Sequence, residues 1–194
     1  MNSVMSMVRP ALTTIVLCTL VFGVAYPLGV TAVAGVLTPE QAGGSLLRVD
    51  GRIVGAAAVG QYFEGVQWLH GRPSATPDRP YNAASSSGSN LGPAHPALRE
   101  RVTAAIALER SFTPRLTGPV PVDLVTTSAS GLDPHISPAA ARLQVARIAA
   151  ARAVSPATVQ AIIDDATEGR FFGLFGEPRV GVLQVNLALE ALPR

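Results

Sequence analysis

Apolar residues run unbroken by charge from Ala11 to Leu37, ALTTIVLCTLVFGVAYPLGVTAVAGVL. This exceeds the roughly 20 apolar residues that cross a hydrocarbon core. The pattern predicts a membrane-spanning helix over 11–37, a short tail at 1–10 and a soluble domain over 38–194. Pro27 removes one backbone donor from the helix, which predicts a kink or weakened hydrogen bonding between Gly23 and Pro27. A cleaved leader is the competing reading, because Ala32-Val33-Ala34 has the small-x-small form that signal peptidase reads. The run outlasts the roughly 7 to 15 residues of a leader core, and Arg9 alone charges the segment before it, so a retained anchor is the better account.

Beyond the helix the periodicity shortens. Thr38-Pro39-Glu40-Gln41 predicts a brief helix, with threonine as cap, proline at the first helical position and glutamine closing a capping box. Gly43-Gly44 ends it. Asp50-Gly51 stands between two apolar runs and predicts a tight β-hairpin. From Gly71 to Pro96 glycine, proline, serine and asparagine dominate, a loop of about 25 residues that is too long for a simple connector. Trp68 and Tyr81 anchor it, and Arg72, Asn82 and Asn90 supply partners for its backbone. Apolar residues return at helical spacing behind Pro96, as Leu98, Val102, Ala105 and Ile106, with His95 at the cap.

The β-branched run PVPVDLVTTSAS, residues 119–130, predicts a strand. Ser137-Pro138 and Ser155-Pro156 each predict a serine-capped helix. The first buries Ala141, Val145, Ile148 and Ala149, and the second Val159, Ile162, Ile163 and Ala166. FFGLFGEPR reads as a turn. VGVLQVNLALEAL fits strand or helix; helix is favoured, with Val182, Leu183, Asn186 and Leu187 inward. The sum is an α+β fold: a single N-terminal transmembrane helix followed by one small extracytoplasmic α/β domain.

Composition removes several mechanisms. All 15 basic residues are arginine, and phosphate loops, Schiff-base chemistry and Ser-x-x-Lys hydrolases need a lysine. A net charge of +2, with both signs interleaved, gives no nucleic-acid footprint. Cys18 is the only cysteine, so no intrachain disulfide can form. Arg9 and the terminal amine argue for a cytoplasmic N-terminus against Arg48 and Arg52 behind the helix, which puts 38–194 on the far side.

The densest chemistry lies in SASGLDPHIS, residues 128–137. His135 stands two positions from Asp133, which suggests a hydrolytic site, but no G-x-S-x-G elbow occurs, and Asp133-Pro134 reads more simply as a turn. His70, His95 and His135 are too dispersed for a metal-ligand spacing. SSSGSNLG offers backbone amides to an anion, yet its glycine pattern matches no phosphate fingerprint, and a polar loop is the simpler account.

Longer strings carry a resemblance. RPAL at 9–12, YPLGVT at 26–31, GRPSAT at 71–76, YNAASSSGSNLGP at 81–93, PVDLVTTSASGLDPHISPAAA at 121–141 and GEPRVGVLQVNLAL at 176–189 span nearly the whole chain. Together they resemble the C subunit family of the bacterial Kdp potassium-transporting P-type ATPase. The resemblance implies a non-catalytic accessory subunit of a high-affinity potassium uptake complex in the bacterial inner (plasma) membrane. Its implied partners are the channel-like potassium-binding subunit, the P-type ATPase subunit, a small single-span subunit and the lipid bilayer. ATP hydrolysis would belong to the P-type partner and ion selectivity to the channel-like one.

The resemblance also implies stabilised assembly and a raised ATP affinity of the pump subunit. No cofactor would be bound firmly, and ATP would be met through the pump subunit. Ser128, Ser130, Gly131 and Gln144 are the positions for a nucleotide contact; Arg72, Asn82, Asn90, Asp133 and His135 are the candidates for partner contact. Asp133 and His135 are expected to hold the turn that starts the Ser137 helix. Two other readings stay open: a membrane-anchored serine hydrolase using His135, and an extracytoplasmic solute-binding module built on the 81–93 loop.

Overall fold

The computed structural model describes residues 2–113, 116 and 118–192. Its contacts divide the chain into two units, Met1–Leu46 and Leu47–Arg194.

In the first unit α1 (Asn2–Cys18) passes through a π-helical stretch, Thr19–Ala25, into α2 (Tyr26–Leu37). Ser6–Leu37 forms one helix of 32 residues, long and apolar enough to cross a membrane. The weakening expected between Gly23 and Pro27 takes the form of this wider turn, in which Tyr26 N–H donates to Val21 O five residues back. A proline ring crowds the carbonyl four positions earlier, and a π-turn relieves that clash. The capping box at Thr38 does not form. Thr38 Oγ1 donates instead to Ala34 O at 3.2 Å, and the short helix α3 (Pro39–Ala42) starts on Pro39 without a side-chain cap. Ala34 O also accepts the Thr38 N–H at 2.8 Å, so hydroxyl and amide share one carbonyl of the preceding helix, and that partner wins.

The hairpin of β1 (Leu46–Val49) and β2 (Arg52–Ala56) turns through Asp50 at φ 50° and Gly51 at φ 76°. Two successive positive φ values match the twist of the strands they join. Residues 57–95 carry no helix or strand, yet the segment reaches the core, where Leu69 is fully buried. In α4 (Pro96–Phe112) Ala97 N–H donates to His95 Nδ1, so His95 is the cap. The stripe of Leu98, Val102, Ala105 and Ile106 is only half-buried; the one fully buried residue of this helix is Glu109.

The strand expected at 119–130 is absent. A single 3-10 turn, Val122–Leu124, occupies its centre, and both the N–H and the hydroxyl of Thr126 return to Val122 O. Pro119 and Pro121 remove two ladder donors, and the threonine offers a local alternative to pairing. Leu124 still enters the core at 2 % exposure, so β-branched and aliphatic content here serves packing without a sheet.

Helices α5 (Pro138–Arg152) and α6 (Pro156–Asp165) start where Ser137 and Ser155 accept the N–H of Ala140 and Thr158. Ala153, left-handed at φ 55°, ends α5, and the two helices pack as a pair. Their stripes enter the core as expected, although Ile162 and Ala166 are only partly covered. The small sheet has β5 (Arg179–Gly181) at its centre, flanked antiparallel by β3 (His135–Ile136) and β4 (Thr167–Glu168). Ile136 and Thr167 both face Val180 across the ladders. α7 (Val182–Glu190) leaves β5 without a loop, so the ambiguous stretch is both elements in turn. Val185 and Leu189 fill the core, and Leu187, expected inside, is half-exposed. α5 and α7 pack against β5, and α6 against both helices, giving an α+β domain.

Candidate partner-binding site

Arg72 joins two distant loops. Its Nη1 reaches Asp133 Oδ2 at 3.2 Å, Nη2 donates to Thr127 O at 3.2 Å, and Nε donates to Thr126 O at 3.4 Å. A planar guanidinium with five donors suits such a node, because each loop supplies acceptors from a different direction. Ser74 Oγ donates to Gly131 O, Tyr81 OH donates to Arg72 O, and Ser87 N–H donates to Ser130 O. The long polar loop is thereby clasped to the 126–134 turn. Burial pushes the Tyr81 phenol up to about 12, aided by the negative Asp133 and opposed by Arg72, so it stays a donor at neutral pH. Gly131 makes the clasp sterically possible: at φ 68° its missing Cβ would lie 2.6 Å from Ser87 O.

Asp133 closes its own turn. Its Oδ1 accepts His135 N–H at 3.0 Å and lies 3.7 Å from His135 Nδ1. Burial, then Arg179, lowers the His135 pKa against the opposing pull of Asp133 and Glu168, so the ring is held neutral. The start of α5 is governed by a different acid. Asp123 Oδ2 accepts Ser137 N–H at 2.6 Å, and Oδ1 accepts the Ser137 hydroxyl at 3.2 Å. Asp133 and His135 thus hold the turn that leads into the Ser137 helix, as expected, while Asp123 holds the cap residue itself. Asp123 stands 14 residues from its partner, beyond the reach of local capping patterns.

A shallow cleft of about 630 Å³ connects this turn to the end of the sheet, lined by Arg72, Asp123, Asp133, His135, Glu177 and Arg179. Glu177 belongs to the segment that carries the most exposed apolar group of the domain. Phe171, Phe172, Leu174 and Phe175 are 68 %, 81 %, 75 % and 66 % exposed. This turn is rigid. Phe171 and Phe175 exchange both backbone hydrogen bonds, at 2.9 and 3.0 Å, and Gly173 and Gly176 take φ 72° and 80°. Arg170 pairs with Glu177 at 2.8 Å, and Arg179 pairs with Glu168 at 2.7 Å, bracing its base. Four large apolar residues within five positions were visible in the sequence; their exposure was not.

Among the other singled-out residues, Asn82 is buried, donating to Pro77 O and accepting Ala84 N–H inside the loop. Asn90 does not join that network as expected; it is exposed at φ 53°, a turn conformation that asparagine tolerates. Ser128 and Ser130 accept the N–H groups of Gly131 and Leu132. With Ser137 capping α5, each of these three hydroxyls accepts a backbone N–H. Gln144 is 0 % exposed and brackets the His70 backbone, which sets it apart from the surface of the turn. Among the described residues, no group of three or more His, Cys, Asp or Glu is placed to hold a metal ion.

Comparison with known proteins gives matches along nearly the whole chain. The family model described as the c chain of the K+-transporting ATPase, KdpC, matches residues 8–191. The potassium-transporting ATPase KdpC subunit of Dechloromonas aromatica (strain RCB) is 51% identical over 189 residues, covering 97% of this chain and 99% of that protein. The KdpC subunit of Rhodopseudomonas palustris (strain BisB5) is 50% identical over 198 residues, covering 96% and 98%. That of Burkholderia mallei (strain SAVP1) is 51% identical over 186 residues, covering 96% of each. With its apolar N-terminal helix and small α+β domain, the chain belongs to the KdpC family of potassium-transporting ATPase subunits.

Proposed function

We propose that this chain is a non-catalytic accessory subunit that stabilises the assembly of a potassium uptake complex. Its contacts would be the channel-like potassium-binding subunit, the P-type ATPase subunit and a small single-span subunit. The Ser6–Leu37 helix anchors it in the plasma membrane, with the N-terminus cytoplasmic and the domain outside. The observation that carries the reading is the Phe171–Phe175 turn, four exposed apolar side chains on a braced scaffold. Contiguous exposed apolar surface marks a docking site, and a turn already closed by its own backbone hydrogen bonds has less conformational entropy to lose on binding. Beside it, the cleft at Asp133, His135 and Arg179 supplies the polar rim that such interfaces use for orientation.

A raised ATP affinity of the pump subunit belongs to the same proposal. A domain outside the membrane cannot touch cytoplasmic ATP, so the effect would pass through the partner: binding one of its conformations better shifts its population. On this reading Ser128, Ser130 and Gly131 serve the clasp, and Gln144 serves the core. The chain itself holds no cofactor.

Co-purification in mild detergent tests the assignment. Wild type should bring its membrane partners down stoichiometrically, and Phe172→Asp should lose them while melting at the wild-type temperature. Recovery of the wild-type chain as a solitary species would refute the reading. Accessibility of a cysteine placed in the 81–93 loop, probed from outside in intact cells, tests the orientation.

A further inference from the structure

The π-helical stretch Thr19–Ala25 leaves one backbone acceptor without a donor. In an α-turn Phe22 O would accept the N–H of Tyr26, and in a π-turn that of the next residue. Neither is on offer. Tyr26 N–H goes to Val21 O, and Pro27 has no N–H to give. The hydroxyls of Thr13 and Thr38 turn back to Arg9 O and Ala34 O, and among the described residues no side chain is bonded to Phe22 O.

The depth of this carbonyl makes the vacancy unfavourable. Phe22 stands near the midpoint of the Ser6–Leu37 helix. At about 1.5 Å per residue it lies roughly 24 Å from either end, inside a hydrocarbon core about 30 Å thick. Water is excluded there, and lipid tails carry no donor, so an acceptor at that depth must be satisfied by protein. The surroundings admit a second helix. Gly23 has no side chain, and the nearest atom to the place of its missing Cβ is Thr19 Cγ2 at 3.7 Å. Ala25 adds only a methyl group, and nothing in the chain covers this part of the helix. Small residues let helix backbones approach closely in a bilayer, and hydroxyl or amide side chains then hydrogen-bond from one helix to the other.

We infer that the π-turn seats a transmembrane helix of a partner subunit, which donates a hydrogen bond from a serine, threonine or asparagine side chain to Phe22 O. The inference rests on the accessory-subunit reading and adds to it a polar contact inside the bilayer, separate from the Phe171–Phe175 turn.

The test places heavy carbon and oxygen isotopes in the Phe22 carbonyl of the full chain by semisynthesis, which moves its infrared amide band clear of the others. In lipid nanodiscs holding the chain alone, the band should sit at the high wavenumber of a free carbonyl. In the complex assembled with its membrane partners it should shift to lower wavenumber. Pro27→Leu restores a backbone N–H, so that an α-turn or a π-turn can satisfy Phe22 O; its band should already be low in the chain alone and move little on assembly. A low band in the wild-type chain alone, an unmoved band in the assembled wild-type complex, or an equal shift in Pro27→Leu would each overturn the inference. A shift produced by crowding the chain in nanodiscs without partners would assign the donor to a second copy and overturn it as well. Failure of the wild-type chain to co-purify with membrane partners would strike the accessory-subunit reading and this inference together, whereas an assembled complex with the band unmoved strikes this inference alone.

Discussion

Asn186 pairs with Leu69 as a strand neighbour would: Leu69 N–H donates to Asn186 Oδ1 at 2.8 Å, and Asn186 Nδ2 donates to Leu69 O at 2.9 Å. Gln144 repeats the device for His70 at 2.8 and 3.1 Å. Arg147 adds Val66 O, Trp68 O and Gln144 Oε1. A segment without strand partners is thus satisfied inside the core by side chains from two helices. It also carries Arg72 into the clasp.

Asn186→Leu should therefore destabilise the domain by about 2–6 kcal/mol, because two buried backbone groups lose their partners at about 1–3 kcal/mol each. Chemical denaturation measures this. A loss below about 1 kcal/mol would mean that water takes over both bonds and that the bracket is dispensable.

Ser137→Ala should cost about 1 kcal/mol through the lost α5 cap. Asp123→Ala should cost a similar amount, since it strips the acceptor from Ser137 N–H. The two act on one network, so the double variant should cost less than the sum of the single ones. Strict additivity in unfolding measurements would show that Asp123 does not position the cap.

Gly131→Ala should destabilise more than Gly173→Ala. Both positions have positive φ, 68° and 72°, but only at Gly131 does the added Cβ meet atoms, Ser87 O at 2.6 Å and Thr76 Cγ2 at 2.8 Å. Backbone strain of about 1–2 kcal/mol is common to both, and the clash adds to one. Faster proteolysis within the 81–93 loop should accompany the Gly131 variant.

Acidification should act on the fold with two opposing signs. His70 and His135 have lowered pKa values when folded, so they bind fewer protons than in the unfolded chain. Their contribution is complete above about pH 6.5 and is lost as pH falls through that value toward the folded pKa. Glu109, with a raised pKa, contributes below 4.5 and loses that contribution as pH rises toward its folded pKa. Denaturation at a series of pH values should show His70→Gln weakening the loss of stability below pH 6.5, and Glu109→Gln removing the opposite slope above pH 4.5. A Glu109→Gln variant with an unchanged profile would show that this carboxyl titrates normally.

The anchor, the Asp50-Gly51 hairpin, the caps at His95, Ser137 and Ser155, and the α5 and α6 stripes could all be derived from residue order. Each rests on sterics or hydrogen bonds reaching no more than about four residues, or on the period of one helix. The misreadings have the opposite character. Residues 119–130 have strand-like composition, but an edge lined with prolines found no partner; Thr38 had two helices to serve and took the one behind it; the run from Val180 changed element where the sheet ended. Nor could order alone reveal that Asn186 and Gln144 would stand in for a strand, that Arg72 would reach Asp133, that Glu109 would be buried, or that Phe172 would be left bare. Such pairings join residues up to 117 positions apart. Local rules specify which groups need a partner or a cover; packing decides which distant group supplies it, because burial and hydrogen-bond satisfaction are settled only once the whole core has closed.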